Sequence, residues 1–139
     1  MRIGAILLAI AQLAAHKFHF SRTEIDYHPP RLEIVVTLHA GELPFPAESE
    51  KAACAYVLAN FAIKNTPLRC VGAKSSVHYL DVFLEGDAPA PPAAARNQIL
   101  RKEFPDQRNS VLLRREARPI GKAIEFGGAD EWKPLIWRP

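Results

Sequence analysis

Residues Leu32 to His39 alternate without a break. Leu32, Ile34, Val36 and Leu38 fall on one side, and Glu33, Thr37 and His39 on the other. A period of two puts every second side chain on one face, so this stretch predicts a strand with one buried side. Lys17 to Tyr27 reads as a second strand. Phe18 and Phe20 share one parity and Ile25 and Tyr27 the other, and the switch near Ser21 and Arg22 predicts a bulge. Between the two strands stands His28-Pro29-Pro30-Arg31. Proline fixes φ and donates nothing to a ladder, so a turn and an N-terminal hairpin are expected.

The remaining pattern predicts two helices and four more strands. Gly41 to Pro46 is a proline-containing connection. Ser49 or a neighbour is placed to cap a helix running to about Ala62, with Ala53, Val57 and Phe61 at four-residue spacing and Cys54 and Leu58 beside them. Lys64-Asn65-Thr66-Pro67 ends that helix. Leu68 to Val71 is a short strand and Val77 to Leu84 a longer one. Val77, Tyr79 and Phe83 oppose Leu80, Val82 and Leu84, so the longer strand is expected to be covered on both faces. Gly86 to Pro92 is a loop of small residues and prolines. Ala93 to Phe104 predicts the second helix, with Ile99, Leu100 and Phe104 facing inward. Phe104 to Val111 is a polar bend. Ser110 to Arg115 and Ala123 to Phe126 predict a last hairpin around Pro119-Ile120-Gly121. The order ββ-α-ββ-α-ββ predicts an α+β domain of antiparallel hairpins with two helices. A β-sandwich with helical connections is the alternative.

Composition adds limits to that picture. The chain has 139 residues, enough for one domain with a core of its own. Apolar residues make up 48% and charged residues 24%, ordinary globular values. A net charge of +3 gives no concentrated basic signal, so nucleic acid is not an expected partner. Basic residues do gather between Arg96 and Lys122. A solvated face is the plain reading, and contact with an anionic membrane surface or an acidic partner is the alternative.

Residues 1–15 run from Met-Arg through an apolar stretch to Leu-Ala-Ala. One cation, an apolar run and small residues form the pattern of a secretory signal peptide, with cleavage expected between Ala15 and His16. The run is shorter than the roughly 20 apolar residues a spanning helix needs. Residues 16–128 are then the domain and 129–139 a C-terminal tail carrying Trp132 and Trp137. A periplasmic or secreted product would place Cys54 and Cys70 where a disulfide can form; two free buried thiols are the other reading.

Catalytic motifs are lacking. The chain has no Gly-x-Ser-x-Gly, no P-loop, no Gly-x-Gly-x-x-Gly and no His-Glu-x-x-His. Ser75-Ser76-Val77-His78 brings hydroxyls near an imidazole, but a triad is a matter of geometry. A processed His16 would offer its α-amine and imidazole to copper, with His19, His28 or His39 to complete a nitrogen set. Asp106, Gln107 and Asn109 in the bend read as structural, because such side chains hydrogen-bond nearby backbone in turns. Glu24, Asp26 and Glu33 line the wet face of the first hairpin.

Two stretches carry a resemblance. His16-Lys17-Phe18-His19-Phe20-Ser21-Arg22-Thr23-Glu24-Ile25-Asp26-Tyr27 resembles the His-Pro-(Tyr/Phe)-His-Val-Ser-x-x-Glu-Ile-x-Tyr start of a family of exported bacterial proteins known as a domain of unknown function. Leu32-Glu33-Ile34 matches its next strand. Arg96-Asn97-Gln98-Ile99-Leu100, then Phe104, Asp106, Gln107, Asn109 and Val111, resemble its Arg-Asn-x-x-Leu helix and Phe-x-Asp-Gln-x-Asn-x-Val stretch. Gly72 and the Tyr79 to Glu85 strand add to the likeness. The chain departs from the family at Gly41-Glu42-Leu43 and the short link after it, where family members often carry an acidic Asp-Leu-Glu and a longer helical insert. The resemblance implies an exported domain without a membrane span and brings no activity or cofactor. The expected function is an exported, periplasmic accessory or protein-interaction domain without catalysis, acting on another envelope protein through its sheet surface or tail. The alternative is a copper-binding protein using His16 and His19.

Overall fold

The structure, a computed structural model, describes residues 19–127 and 131–138. Strands β1 (His19–His28) and β2 (Arg31–His39) form the expected hairpin around Pro29 and Pro30. A short 3-10 turn at Ala40–Glu42 leads to helix α1 (Glu50–Asn60). Then come β3 (Phe61–Ile63), β4 (Leu68–Ser75), β5 (Tyr79–Asp87), β6 (Ala94–Asn97), β7 (Gln107–Arg115), β8 (Arg118–Phe126) and β9 (Lys133–Pro134). Six strands make one sheet in the order β4-β5-β2-β1-β7-β8. Every neighbour is antiparallel except β1 and β7, which run parallel. A second sheet has the order β3-β6-β9.

The expected α+β class with two helices is therefore corrected: the protein is mostly β, with one α-helix among the described residues and a mixed six-stranded sheet. Helix α1 forms where expected. Ser49 caps it by accepting from the Ala52 amide, and Ala53 and Val57 are buried. Phe61 is buried too, but as the first residue of β3. The second helix does not form. Ala94–Asn97 is an edge-to-edge link instead, pairing with β3 on one side and β9 on the other. The Asn97 side chain accepts from the Ile99 amide, and Leu100 takes a positive φ of 58°, so the chain turns before a helix can propagate. Alanine's helix preference is a few tenths of a kcal/mol per residue and yields to these pairings.

Other expectations shift in detail. No bulge interrupts β1: its register with β2 and β7 is continuous. The parity switch arises because polar Ser21 and Thr23 are buried while Phe20 is 48% exposed. β5 is buried on one side only, through Leu80, Val82 and Leu84. The last hairpin turns at Glu116 and Ala117, both at positive φ, rather than at Pro119-Ile120-Gly121. Pro119 lies on the edge strand β8, where a missing ladder donor is tolerated.

One face of the large sheet carries the core. Ile25 and Tyr27 of β1, Leu32, Ile34, Val36 and Leu38 of β2, and their neighbours on β5 and β7 pack against α1, β3, Ala95 and the turn at Ile99 and Leu100. The segment 131–138 returns to this side. Leu135 is buried, and Trp137 donates to the Pro92 carbonyl at 2.7 Å while its ring meets Tyr27. Gly86 is a close-approach position, because a Cβ there would sit 2.9 Å from Leu68 and 3.1 Å from the Pro67 carbonyl. Cys54 of α1 and Cys70 of β4 are joined by a disulfide across 16 residues.

That loop length gives about 3 kcal/mol of stabilisation in the chain-entropy picture. Reduction, or the double change Cys54→Ser and Cys70→Ser, is expected to lower the melting temperature by several degrees. An unchanged melting curve would remove the disulfide from the list of what holds α1 to the sheet.

Candidate functional site

The bend and the first strand meet. In the parallel pairing of β1 with β7, His19 stands opposite Gln107 and Ser21 opposite Asn109. Asn109 is fully buried and spends its whole side chain. Its Oδ1 accepts from the Ser21 hydroxyl and from Gln107 Nε2 at 2.9 Å, and its Nδ2 donates to the Ile99 carbonyl at 3.0 Å. Arg101 donates to the Gln107 carbonyl at 3.0 Å. Buried polar groups are tolerated when paired in this way. His19 lies at the rim of this network. Its Nδ1 is 2.8 Å from Asp106, its Nε2 is 3.5 Å from Glu42, and its ring stacks on Phe104 at 3.8 Å.

The bend thus ties β1, the 3-10 turn and β7 together; Gln107 Oε1 is buried with no hydrogen-bond partner among the described residues, and Arg101, Asp106, Gln107 and Glu125 line an open pocket of about 310 Å³ beside it. His16 lies outside the described residues. Both ring nitrogens of His19 face carboxylates, and among the described residues no group of three or more His, Cys, Asp or Glu is placed to share a metal ion. Ser76 does not meet an imidazole. Its hydroxyl donates to the Tyr79 carbonyl and accepts from the Tyr79 amide, closing the β4–β5 turn. Trp137 is half-buried against the core, while Trp132 lies under Arg96. The basic residues between Arg96 and Lys122 scatter. Arg114 reaches Glu24 on one side of the sheet and Arg115 crosses over Tyr27 on the other.

A different feature was legible only in part. The second face of the six-stranded sheet carries no covering layer among the described residues. Its outward positions are Phe20, Arg22, Glu24, Asp26 and His28 on β1, with Thr37, His39, Tyr79 and Asp81 on the strands beside it. Near the start of β1 and β5 these form an open groove of about 730 Å³, lined by Phe20, Arg22, Thr37, His39, Tyr79 and Asp81 among others. Three large apolar groups stand exposed at this end: Phe20 at 48%, Tyr79 at 51% and Val77 at 87%. His39 meets the Tyr79 ring edge-on at 5.5 Å. Ion pairs run from the border of the groove across the rest of the face. Arg114 holds Glu24 through Nε at 2.9 Å and a second nitrogen at 2.7 Å, His28 bridges Asp26 and Glu33, and Arg69 holds Glu85. The alternation of β2 and β5 announced these outward side chains. Their assembly into one groove required the strand order.

One titrating group departs from its ordinary behaviour. Burial raises the pKa of the Tyr56 phenol far above the tyrosine norm, and its hydrogen bond to Glu103 at 2.8 Å adds to the shift. The same oxygen accepts from the Leu100 amide and so fixes the turn that replaces the expected helix.

No protein-family model matches the chain, and no curated protein matches it. The family resemblance therefore rests on the two motif stretches, which the fold brings together as register partners.

Two outcomes follow from the network. Asn109→Ala is expected to cost about 2–4 kcal/mol in urea unfolding, because it strands the Gln107 amide and the Ile99 carbonyl in the core. Asp106→Ala, which loses one exposed hydrogen bond to His19, is expected to cost under about 1 kcal/mol. Equal losses would refute this division of labour. For Tyr56, the raised folded-state pKa means its contribution is complete below the ordinary tyrosine value of roughly 10 and is lost as pH rises above it. Tyr56→Phe is expected to flatten that alkaline loss in melting curves taken across the range.

Proposed function

We propose that this chain is an exported accessory domain of the bacterial envelope, without catalysis of its own, that holds a partner protein against the open face of its six-stranded sheet. The observation that carries this reading is the groove. Half-exposed aromatic rings, a sheet face without a covering layer among the described residues and a hydrogen-bonded floor form the type of surface that proteins use to bind one another. Export is supported by the leader pattern of residues 1–15, by the Cys54–Cys70 disulfide and by the resemblance to exported proteins. Among the described residues no helix is long and apolar enough to cross a membrane. In the C-terminal segment Trp137 is engaged with Pro92 and Tyr27, which leaves the open sheet face as the larger surface for a partner.

The test is site-directed photo-cross-linking in whole cells. A benzophenone side chain replaces Val35, which lines the groove, or Leu58, which is exposed on α1. A discrete adduct from the Val35 position alone is expected, in an envelope or periplasmic fraction. Intact mass of the monomer in that fraction is expected to show loss of residues 1–15. Adducts from neither position, or identical adducts from both, would defeat the interaction reading. A product that keeps its leader in the cytoplasm would defeat the export reading.

A further inference from the structure

The groove has an asymmetry in its charges. Around it, Glu24 meets Arg114 and Arg22, Glu33 meets Arg31, and Glu85 and Asp87 share Arg69. Asp81 meets no cation among the described residues. Its Oδ1 accepts from the Thr37 hydroxyl at 2.6 Å, and its Oδ2 has no described partner. Lys74 stands opposite Asp81 in register on β4 but makes no ion pair with it, and Arg22, two strands away, is turned to Glu24 at 3.5 Å. Asp81 lies in the groove between Tyr79 on its own strand and Arg22 and Phe20 across the sheet.

A half-buried carboxylate with an open oxygen, beside exposed aromatic rings, is an arrangement that selects organic cations. The carboxylate supplies the opposite charge, and ring faces attract a guanidinium or ammonium through their quadrupole. We propose that Asp81, with Tyr79 as a wall, receives an arginine or lysine side chain presented by the partner protein. This deepens the open-face reading and rests on it. Thr37 fixes Asp81 in one rotamer, so little side-chain freedom is lost on binding. The groove's paired charges, Glu24 with Arg22 and Arg114, would then face the partner's flanking backbone.

The experiment uses the purified mature protein and two small probes, N-acetyl-arginine amide and its uncharged citrulline counterpart. Amide NMR shifts confined to Thr37, Tyr79, Asp81 and their neighbours are expected with the arginine probe and not with citrulline. Asp81→Asn keeps the oxygen that accepts from Thr37 and removes the charge, so the fold is retained while binding weakens at least tenfold. Tyr79→Leu is expected to weaken it at least threefold, and Asp87→Asn, outside the groove, to leave it unchanged. Equal responses to the two probes, or wild-type affinity in Asp81→Asn, would overturn the assignment. In cells, the cross-link from position 35 is expected to fall at least fivefold in Asp81→Asn. An undiminished adduct would overturn the cation site while leaving the open-face reading intact. Absence of the adduct already in the wild type would defeat the reading beneath it.

Discussion

Everything in this fold leans on the parallel contact between β1 and β7. Three antiparallel pairs, β1–β2, β4–β5 and β7–β8, are joined by tight turns or short connections and can form locally, whereas α1, β3 and β4 separate β2 from its antiparallel neighbour β5. The β1–β7 pair joins residues nearly ninety positions apart and closes the sheet around its central strand. Such a contact repays its loop-closure cost only if its register is unambiguous. Side-chain hydrogen bonds supply that register. Asn109 binds Ser21 across the pair and Gln107 beside it, and it also binds the Ile99 carbonyl on the turn below. A slip of one residue would put Asn109 on the wet face and bury Ser110 or Arg108 in its place.

The sequence displayed the local hairpins and concealed the long-range pairings. β2 alternates cleanly because one of its faces is core and the other solvent, and hydrophobic periodicity reports that difference directly. β1 misleads the same analysis. Its inward positions Ser21 and Thr23 are polar, and its outward Phe20 is aromatic, so the parity reads as broken where the strand is regular. The segment 93–104 misleads for another reason. Its alanines fit a helix in isolation, whereas the decisive facts are two strand partners, β3 and β9, distant in sequence. The β7–β8 turn at Glu116 and Ala117 lacks the glycine or asparagine that usually marks positive φ, and Pro119 and Gly121 drew the turn three residues too late. Local chemistry was legible at the Ser49 cap and the Pro29–Pro30 turn, where the residues act on their own backbone.

The candidate site divides along the same line. The bend residues 106, 107 and 109 were legible as structural because amide and carboxylate side chains in a turn serve nearby backbone. That they also serve strand β1 was visible only in three dimensions. The groove was not legible at all as a unit. Its residues come from four strands and from the β4–β5 turn, and no spacing in the chain relates Asp81 to Phe20. Charge counting could not find Asp81 either, since the hydroxyl that holds it, Thr37, stands 44 residues away in the chain on the neighbouring strand.

The bend and the groove are two faces of one construction. On β1, Ser21 points inward to Asn109, so Phe20 and Arg22 on either side of it must point outward into the groove. On β7, Asn109 points inward, so Ser110 points outward and lines the same groove. The buried hydrogen bonds therefore do more than hold two strands. They fix the rotation of both strands about their axes, and with it the aim of the side chains on the far side of the sheet. A change at Asn109 that frees the register would blur the groove without touching a residue that lines it. The outward positions between the paired inward ones, Arg22 against Ser110 among them, can therefore vary without disturbing the pairing beneath.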